Sequence, residues 1–222
     1  MPFILELIML QPILSSLNSK KIVLASSSPR RKIMLEQIGL KFDIVPSNFE
    51  ENLKKDSFKT PLDYVNETAK QKTLEVTERL YGSQAPPPDL IIGADTIVTH
   101  DDEIFEKPSS RDHAISILSR LNGNAHDVFT SVVLVTPKSD STLAKYNLTQ
   151  FHTCTEVYMG ELTPRIIQAY VDTGEAMDKA GGYGIQALGS TLISGIKGDY
   201  FNVMGFPLHP FAKEVLKLFP ES

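Results

Sequence analysis

The stretch that most constrains the fold is "KIVLASSSPRRKIML", Lys21 to Leu35. Its apolar start, Ile22 to Ala25, reads as a short buried strand. Three serines follow, and then Pro29 stands where a helix would begin, with Ser28 as its N-cap. A proline there gives up only an N–H that the first turn leaves unpaired anyway. Met34, Leu35 and Ile38 form an apolar side, and Gly39 supplies a stop. A strand, a tight turn and a helix start aim free N–H groups and the positive end of the helix dipole at one point, which is how anion sites are built. Ser26 and Ser28 add hydroxyls. Arg30 and Arg31 stand in the same first turn, where the dipole disfavours cations by ~0.3–1 kcal/mol each. A bound anion would offset that cost, and guanidinium forks suit phosphate oxygens. The competing reading is two surface arginines after an ordinary Ser-Pro cap. The pattern GxxxxGK[ST] does not occur, so this is not a Walker loop.

Farther along, "KFDIVPS" (Lys41 to Ser47) reads as a second strand. Thr60-Pro61 opens a longer helix, with Thr60 capping and Asp63 in the first turn. "DLIIGADTIVTH" (Asp89 to His100) reads as a strand interrupted by Gly93, and "DDEIFEKP" as a turn that leads back along it. Arg111 to Leu121 has helical spacing. The runs beginning at His126 and Lys145 form a hairpin across a polar loop. Pro164 to Tyr170 is a short helix, Gly182 to Gly205 is glycine-rich and β-like, and Pro207 to Phe219 closes as a helix. Strands and helices mix without strict alternation, which predicts an α/β fold with a mixed sheet. Residues 21–222 form one domain, and residues 1–20 an extension that packs on it or on a partner.

Net charge is -5. A general nucleic-acid binder needs a basic surface to displace counterions, so that class is excluded. The lone cysteine, Cys154, allows no internal disulfide and no Cys/His zinc set, which points to a reducing, cytoplasmic compartment. The first twenty residues are apolar but broken by Glu6, Gln11 and Pro12. They lack the ~20 uninterrupted residues of a membrane helix and the basic start of a leader, so no membrane partner is expected.

Four side chains stand out against their surroundings. The stripe Val65, Ala69, Lys72, Val76 places a lysine on an apolar helix face; it either snorkels to solvent or points into a site beside the sheet. Asp95 interrupts an apolar strand, where a carboxylate must be paired, hydrated or metal-bound. Glu106-Lys107-Pro108 and Glu50-Glu51 lie near strand ends. Together these carboxylates could hold Mg²⁺ or Mn²⁺, which prefer oxygen ligands and phosphate-bearing substrates. Gln186 follows Asp178-Lys179 and a loop with three glycines in four positions, a backbone that can approach a ligand closely; its amide could read a base edge. The five histidines share no spacing, and neither HExxH nor GxSxG occurs.

Taken in order, "LASSSPRR", "ETAKQK", "GADTIV", "EKP", "LNGNAHDVFT", "DKAGGYGIQ" and "GDYFNVMGFPL" resemble the Maf (septum-formation) family of nucleoside triphosphate pyrophosphatases. Within it, the likeness is to the Maf-like portion of acetylserotonin methyltransferase-like proteins. The resemblance covers nearly all of the chain after Lys20. It implies a mixed twisted sheet flanked by helices, with a cleft between two lobes. It also implies hydrolysis between the α- and β-phosphates of a nucleotide. Asp95 would be the proton acceptor and, with Glu50, the ligand of a divalent cation. Ser26, Ser28, Arg31, Lys72 and Lys107 would hold the triphosphate. Arg30, Thr96 and Gln186 mark the branch that resembles dTTP/UTP pyrophosphatases. After that glutamine the chain reads Ala187-Leu188-Gly189-Ser190, a departure from the usual GLGG. The competing functions are a nucleotide-binding regulator of cell division and a pyrophosphatase for 7-methyl-GTP. A second copy of the chain is the one protein partner left open.

Overall fold

The computed structural model describes residues 9–138 and 146–220. The polar loop expected between the two longest strands therefore lies outside the described residues, as do most of the first ten residues of the extension. Seven helices and seven strands are described: α1 (Gln11–Leu17), β1 (Ile22–Leu24), α2 (Pro29–Gln37), β2 (Asp43–Ile44), α3 (Pro61–Tyr81), β3 (Leu90–His100), β4 (Glu103–Phe105), α4 (Arg111–Leu121), β5 (Ala125–Pro137), β6 (Tyr146–Met159), α5 (Pro164–Asp172), β7 (Ile193–Lys197), α6 (Tyr200–Met204) and α7 (Leu208–Leu218). The sheet order is β2-β1-β3-β5-β6-β7, with β4 also paired to β3. β1 runs parallel to β2 and β3, and every other pairing is antiparallel. The sheet is mixed, as the irregular alternation of elements predicts.

One consequence of the pairing positions everything that follows. β5 occupies one edge of β3 from Ile91 to Thr99. On the other edge β1 pairs only as far as Ile92, because its chain turns away at Ala25, and β4 pairs only from Val98. Between them the β3 edge from Gly93 to Ile97 has no strand beside it. Side chains alternate in direction along the strand. Ile91 and Ile97 pack with residues of α3, whereas Leu90 and Ile92 pack with α1, α2 and α7. Leu10, Ile13 and Leu17 are buried in that second core beside Leu35, Phe206 and Phe211.

Two expected strands are shorter than their composition suggests. "KFDIVPS" contributes only Asp43–Ile44, both exposed at the sheet edge. Pro46 follows at once and has no N–H to continue a ladder. Of the glycine-rich segment only Ile193–Lys197 is strand; the rest forms 3-10 turns and α6, since Gly181, Gly182, Ala187, Gly198 and Gly205 all take positive φ.

Gly93 does not interrupt its strand. It pairs with Val133 in an unbroken ladder. It is glycine because α3 lies so close that a Cβ there would sit 1.9 Å from the Thr73 hydroxyl oxygen. Gly93→Ala is therefore expected to destabilise the fold by about 1–3 kcal/mol, the usual cost of overpacking; a melting temperature equal to wild type would contradict this close approach.

His126 is the one buried histidine among the described residues, with Nε2 2.5 Å from the Tyr183 hydroxyl. Burial pushes its pKa down to about 4. The unfolded chain then binds a proton more readily than the fold, so the stability this group contributes is lost as pH falls from about 6.5 toward 4. His126→Gln should flatten the loss of melting temperature across that window, and parallel curves for the two proteins would contradict it.

Candidate active site

A cleft of about 590 Å³ opens along the free edge of β3. Its walls are the serine turn and the start of α2, Tyr64 and Lys72 of α3, Ala94 to Val98, Glu106-Lys107, the segment from Asp178 to Gln186, and Val203 to Gly205. Most of the side chains expected from the sequence to bind a ligand therefore meet here: Ser26, Ser28, Arg30, Arg31, Lys72, Asp95, Thr96, Lys107 and Gln186 all line it.

Lys72 points into the cleft. Its Nζ lies 2.8 Å from Asp95 Oδ1 and 2.7 Å from Glu51 Oε1. The Asp95 side chain is only 12% exposed, so the Lys72 ammonium compensates a carboxylate that water scarcely reaches. Burial raises the Asp95 pKa above the usual carboxylate range, although Lys72 and the Arg31 guanidinium pull it back. Tyr64, two helical turns before Lys72, donates from its hydroxyl to Glu106 Oε1 at 2.7 Å, and Lys55 holds the other Glu106 oxygen at 2.9 Å.

The two adjacent arginines have separate jobs. Arg31 is buried. Its Nε donates to the Gly205 carbonyl at 2.9 Å, Nη1 to Ser26 Oγ at 3.2 Å and Nη2 to Thr96 Oγ1 at 2.9 Å. It pins the serine turn, β3 and the end of α6 to one another, and no carboxylate among the described residues forms an ion pair with it. Burial lowers its pKa, and Asp95 opposes that. Arg30 is more open and pairs with Asp178 Oδ2 at 3.0 Å. Asp178 also binds the Lys179 ammonium at 2.6 Å. Thr96, held by Arg31, also hydrogen-bonds Thr130 Oγ1 at 2.9 Å.

Lys107 and Gln186 line the cleft, and neither side chain has a hydrogen-bond or ion-pair partner among the described residues. The Ser28 hydroxyl is also unengaged, although Ser28 N donates to Ser26 Oγ. Ser28 caps α2 by backbone conformation only, without a side-chain bond, so its oxygen is available to a ligand. Paired groups thus form the cleft floor, while free donors stand at its sides.

The acidic pair after β2 divides differently from the sequence expectation. Glu50 is exposed and outside the lining, and its neighbour Glu51 faces Lys72. Tyr64 is a contributor that sequence reasoning did not single out. Tyr64 carried a signal, since residues 64, 68 and 72 share one helical face. For the Glu50-Glu51 pair the sequence gives no sign of which carboxylate faces the cleft, because an irregular loop has no periodicity to read.

Comparison with known proteins places this geometry in context. The family model described as "Maf-like protein" matches residues 21–218. A human protein named "Probable bifunctional dTTP/UTP pyrophosphatase/methyltransferase protein" is 49% identical over 208 residues, covering 94% of this chain. The chain spans 34% of that relative's length. A "dTTP/UTP pyrophosphatase" of Clostridium perfringens (strain 13 / Type A) is 43% identical, covering 87% of this chain and 94% of its own. A protein of the same name from Bacillus cereus (strain ATCC 10987 / NRS 248) is 40% identical over 198 residues, covering 89% and 90%.

Arg31 makes a direct prediction. Lysine keeps the charge but cannot reach three acceptors in one fork. Arg31→Lys should cost about 1–3 kcal/mol of stability, as buried acceptors lose their donors; an unchanged denaturation midpoint would show that the pin does not hold the cleft floor.

Proposed function

Since the chain belongs to the Maf-like family, we propose that it hydrolyses pyrimidine nucleoside triphosphates such as dTTP and UTP to the monophosphate and pyrophosphate. The single observation that carries this reading is the buried Asp95 carboxylate, held by Lys72 at the free edge of β3 in a cleft that the start of α2 also lines. The names of the bacterial relatives, which match nearly end to end, support the choice of substrate class.

In this reading the triphosphate lies against the serine turn, where the unpaired N–H groups of α2 and the Ser28 hydroxyl meet anionic oxygens. Lys107 supplies a mobile cation, and Arg31 a fixed positive charge beneath. Asp95 orients a water and takes its proton as the oxygen attacks the α-phosphorus. The bond from that phosphorus to the bridging oxygen breaks, and pyrophosphate leaves with the electron pair. A carboxyl pKa raised by burial suits a base, since the carboxylate then holds the proton it accepts from water more strongly. Lys72 keeps the carboxylate ionised and adds positive charge as charge builds on the phosphates. Such chemistry depends chiefly on positioning and electrostatic stabilisation. Gln186 presents an amide to the base. Arg30 supports that wall through Asp178, and Thr96 acts through its hold on Arg31.

A divalent cation fits the donors present. Asp95 and Glu51 are hard oxygen ligands that converge on Lys72, and Glu50 is one residue away. Among the described residues no group of three or more His, Cys, Asp or Glu could hold an ion. Mg²⁺ is commonly held by one or two carboxylates plus substrate phosphates. Bound with the nucleotide, the cation would neutralise phosphate charge.

The test is a panel of triphosphates assayed with Mg²⁺ and with Mn²⁺ for monophosphate and pyrophosphate. dTTP and UTP are expected to be the best substrates. Asp95→Asn should lower kcat by about 10²–10⁴-fold, the usual contribution of a positioned base. It should also fold and melt no lower than wild type at neutral pH, because Lys72 keeps Glu51 and a buried charge is gone. Nucleotide binding without turnover in wild type would sink the reading, and full activity of Asp95→Asn would remove Asp95 from it.

A further inference from the structure

Gln186 lines the cleft just after Ile185, which is buried in the core, but the two residues that follow it are exposed. Ala187 takes φ +52, a left-handed conformation that costs a non-glycine residue about 1–2 kcal/mol. Leu188 is 54% exposed. The loop is also narrow: a Cβ on Gly189 would lie 2.1 Å from the Gly184 carbonyl oxygen. Something must stabilise this shape, and one carboxylate is suitably placed. Glu175 Oε1 accepts from Gly189 N at 2.9 Å and from the Tyr170 hydroxyl at 3.2 Å; Oε2 accepts from Leu188 N at 3.2 Å. The Tyr170 oxygen accepts in turn from Gly184 N at 3.3 Å. Both ends of the loop are thus tied to one carboxylate, through bonds strengthened by its charge.

Glu175 is itself fixed to the cleft mouth. The Lys179 ammonium donates to its backbone carbonyl at 2.7 Å and pairs with Asp178, which holds Arg30. The Lys179 stem lies where a Cβ on Gly184 would come within 2.7 Å, so the loop start is glycine because the lysine backs onto it. Neither Glu175 nor Tyr170 lines the cleft.

We propose that Glu175, with Tyr170, is a positioning residue for base selection: it holds the loop from Gly184 to Gly189 in the conformation that presents Gln186 to the nucleobase. The proposal rests on the pyrimidine pyrophosphatase reading and adds to it a determinant that does not touch the substrate. Glutamine at 175 keeps the shape but turns one acceptor into a donor, which then faces a backbone N–H. Phenylalanine at 170 removes only the hydroxyl that links Glu175 to Gly184.

The experiment measures KM and kcat of wild type, Glu175→Gln and Tyr170→Phe for UTP and GTP. It adds the inhibition constant of inorganic tripolyphosphate, which carries the phosphate chain and no base, and the melting temperature. A misplaced Gln186 should raise KM for UTP and erode the preference for UTP over GTP by roughly ten- to hundredfold, the scale of a 1 Å displacement. Tripolyphosphate inhibition should stay within about twofold of wild type, since the serine turn is untouched. In the Glu175→Gln background, adding Gln186→Ala should have almost no further effect on preference, because both changes remove one function. An unchanged UTP preference in the variants overturns the proposal. So does a rise in the tripolyphosphate constant that matches the rise in KM, for then Glu175 would support the whole site. If Glu175→Gln fails to fold, Tyr170→Phe carries the same comparison. A wild type without turnover, or without base preference, fails the parent reading and the proposal with it; a selective wild type with equally selective variants fails the proposal alone.

Discussion

A carboxylate buried in the middle of a strand persists only where it is paired, hydrated or metal-bound, and Asp95 is paired with Lys72, 2.8 Å away. The pairing sets strict terms for the rest of the molecule. Lys72 belongs to a helix, so α3 must lie close on the sheet for its ammonium to reach β3. The helix manages this with small residues on its inner face: Thr68, Ala69, Thr73 and Thr77 are buried there. The threonine hydroxyls donate back to carbonyls four residues earlier, at 2.9, 2.6 and 2.8 Å, and so enter the interface satisfied. Gly93 completes the approach by offering no side chain at all.

The sheet supplies the second condition. A parallel strand that stops early and a short antiparallel strand that starts late leave one edge of β3 open for five residues. The open edge gives a ligand access to the strand that carries Asp95. Arg31 then closes the floor by tying the serine turn and α6 to Thr96. The cost of placing a guanidinium at a helix N-terminus is met internally by three acceptors, Gly205 O, Ser26 Oγ and Thr96 Oγ1. In this way a protein of net charge -5 keeps a local positive site.

Much of this was legible in the sequence because it follows from local rules. The Thr60 cap and Pro61 fixed the start of α3, and its helical stripe placed Lys72 on the sheet-facing side. The Ser-Pro junction fixed the turn after β1. What escaped depended on distance between elements. Gly93 reads as an interruption when only its own strand is considered, and as a contact when Thr73 is known to lie over it. Arg31 reads as a phosphate ligand from its position, yet its guanidinium is spent on Ser26, Thr96 and Gly205, residues up to 174 positions away. Of the acidic pair read as candidate cation ligands, Glu51 faces Lys72 and Glu50 does not line the cleft, because the direction of a loop carboxylate is set by tertiary packing alone. Gly182 to Gly205 has strand-like composition, but the left-handed residues needed to fold it around the cleft limit its strand to five residues.

The central claim is that the cleft directs water to the α-phosphorus, and the position of bond formation tests it most directly. Hydrolysis of UTP in ¹⁸O-labelled water, with mass analysis of both products, locates the attack. The account predicts label in the uridine monophosphate and none in the pyrophosphate. Label in the pyrophosphate, or release of diphosphate nucleotide with inorganic phosphate, would contradict it.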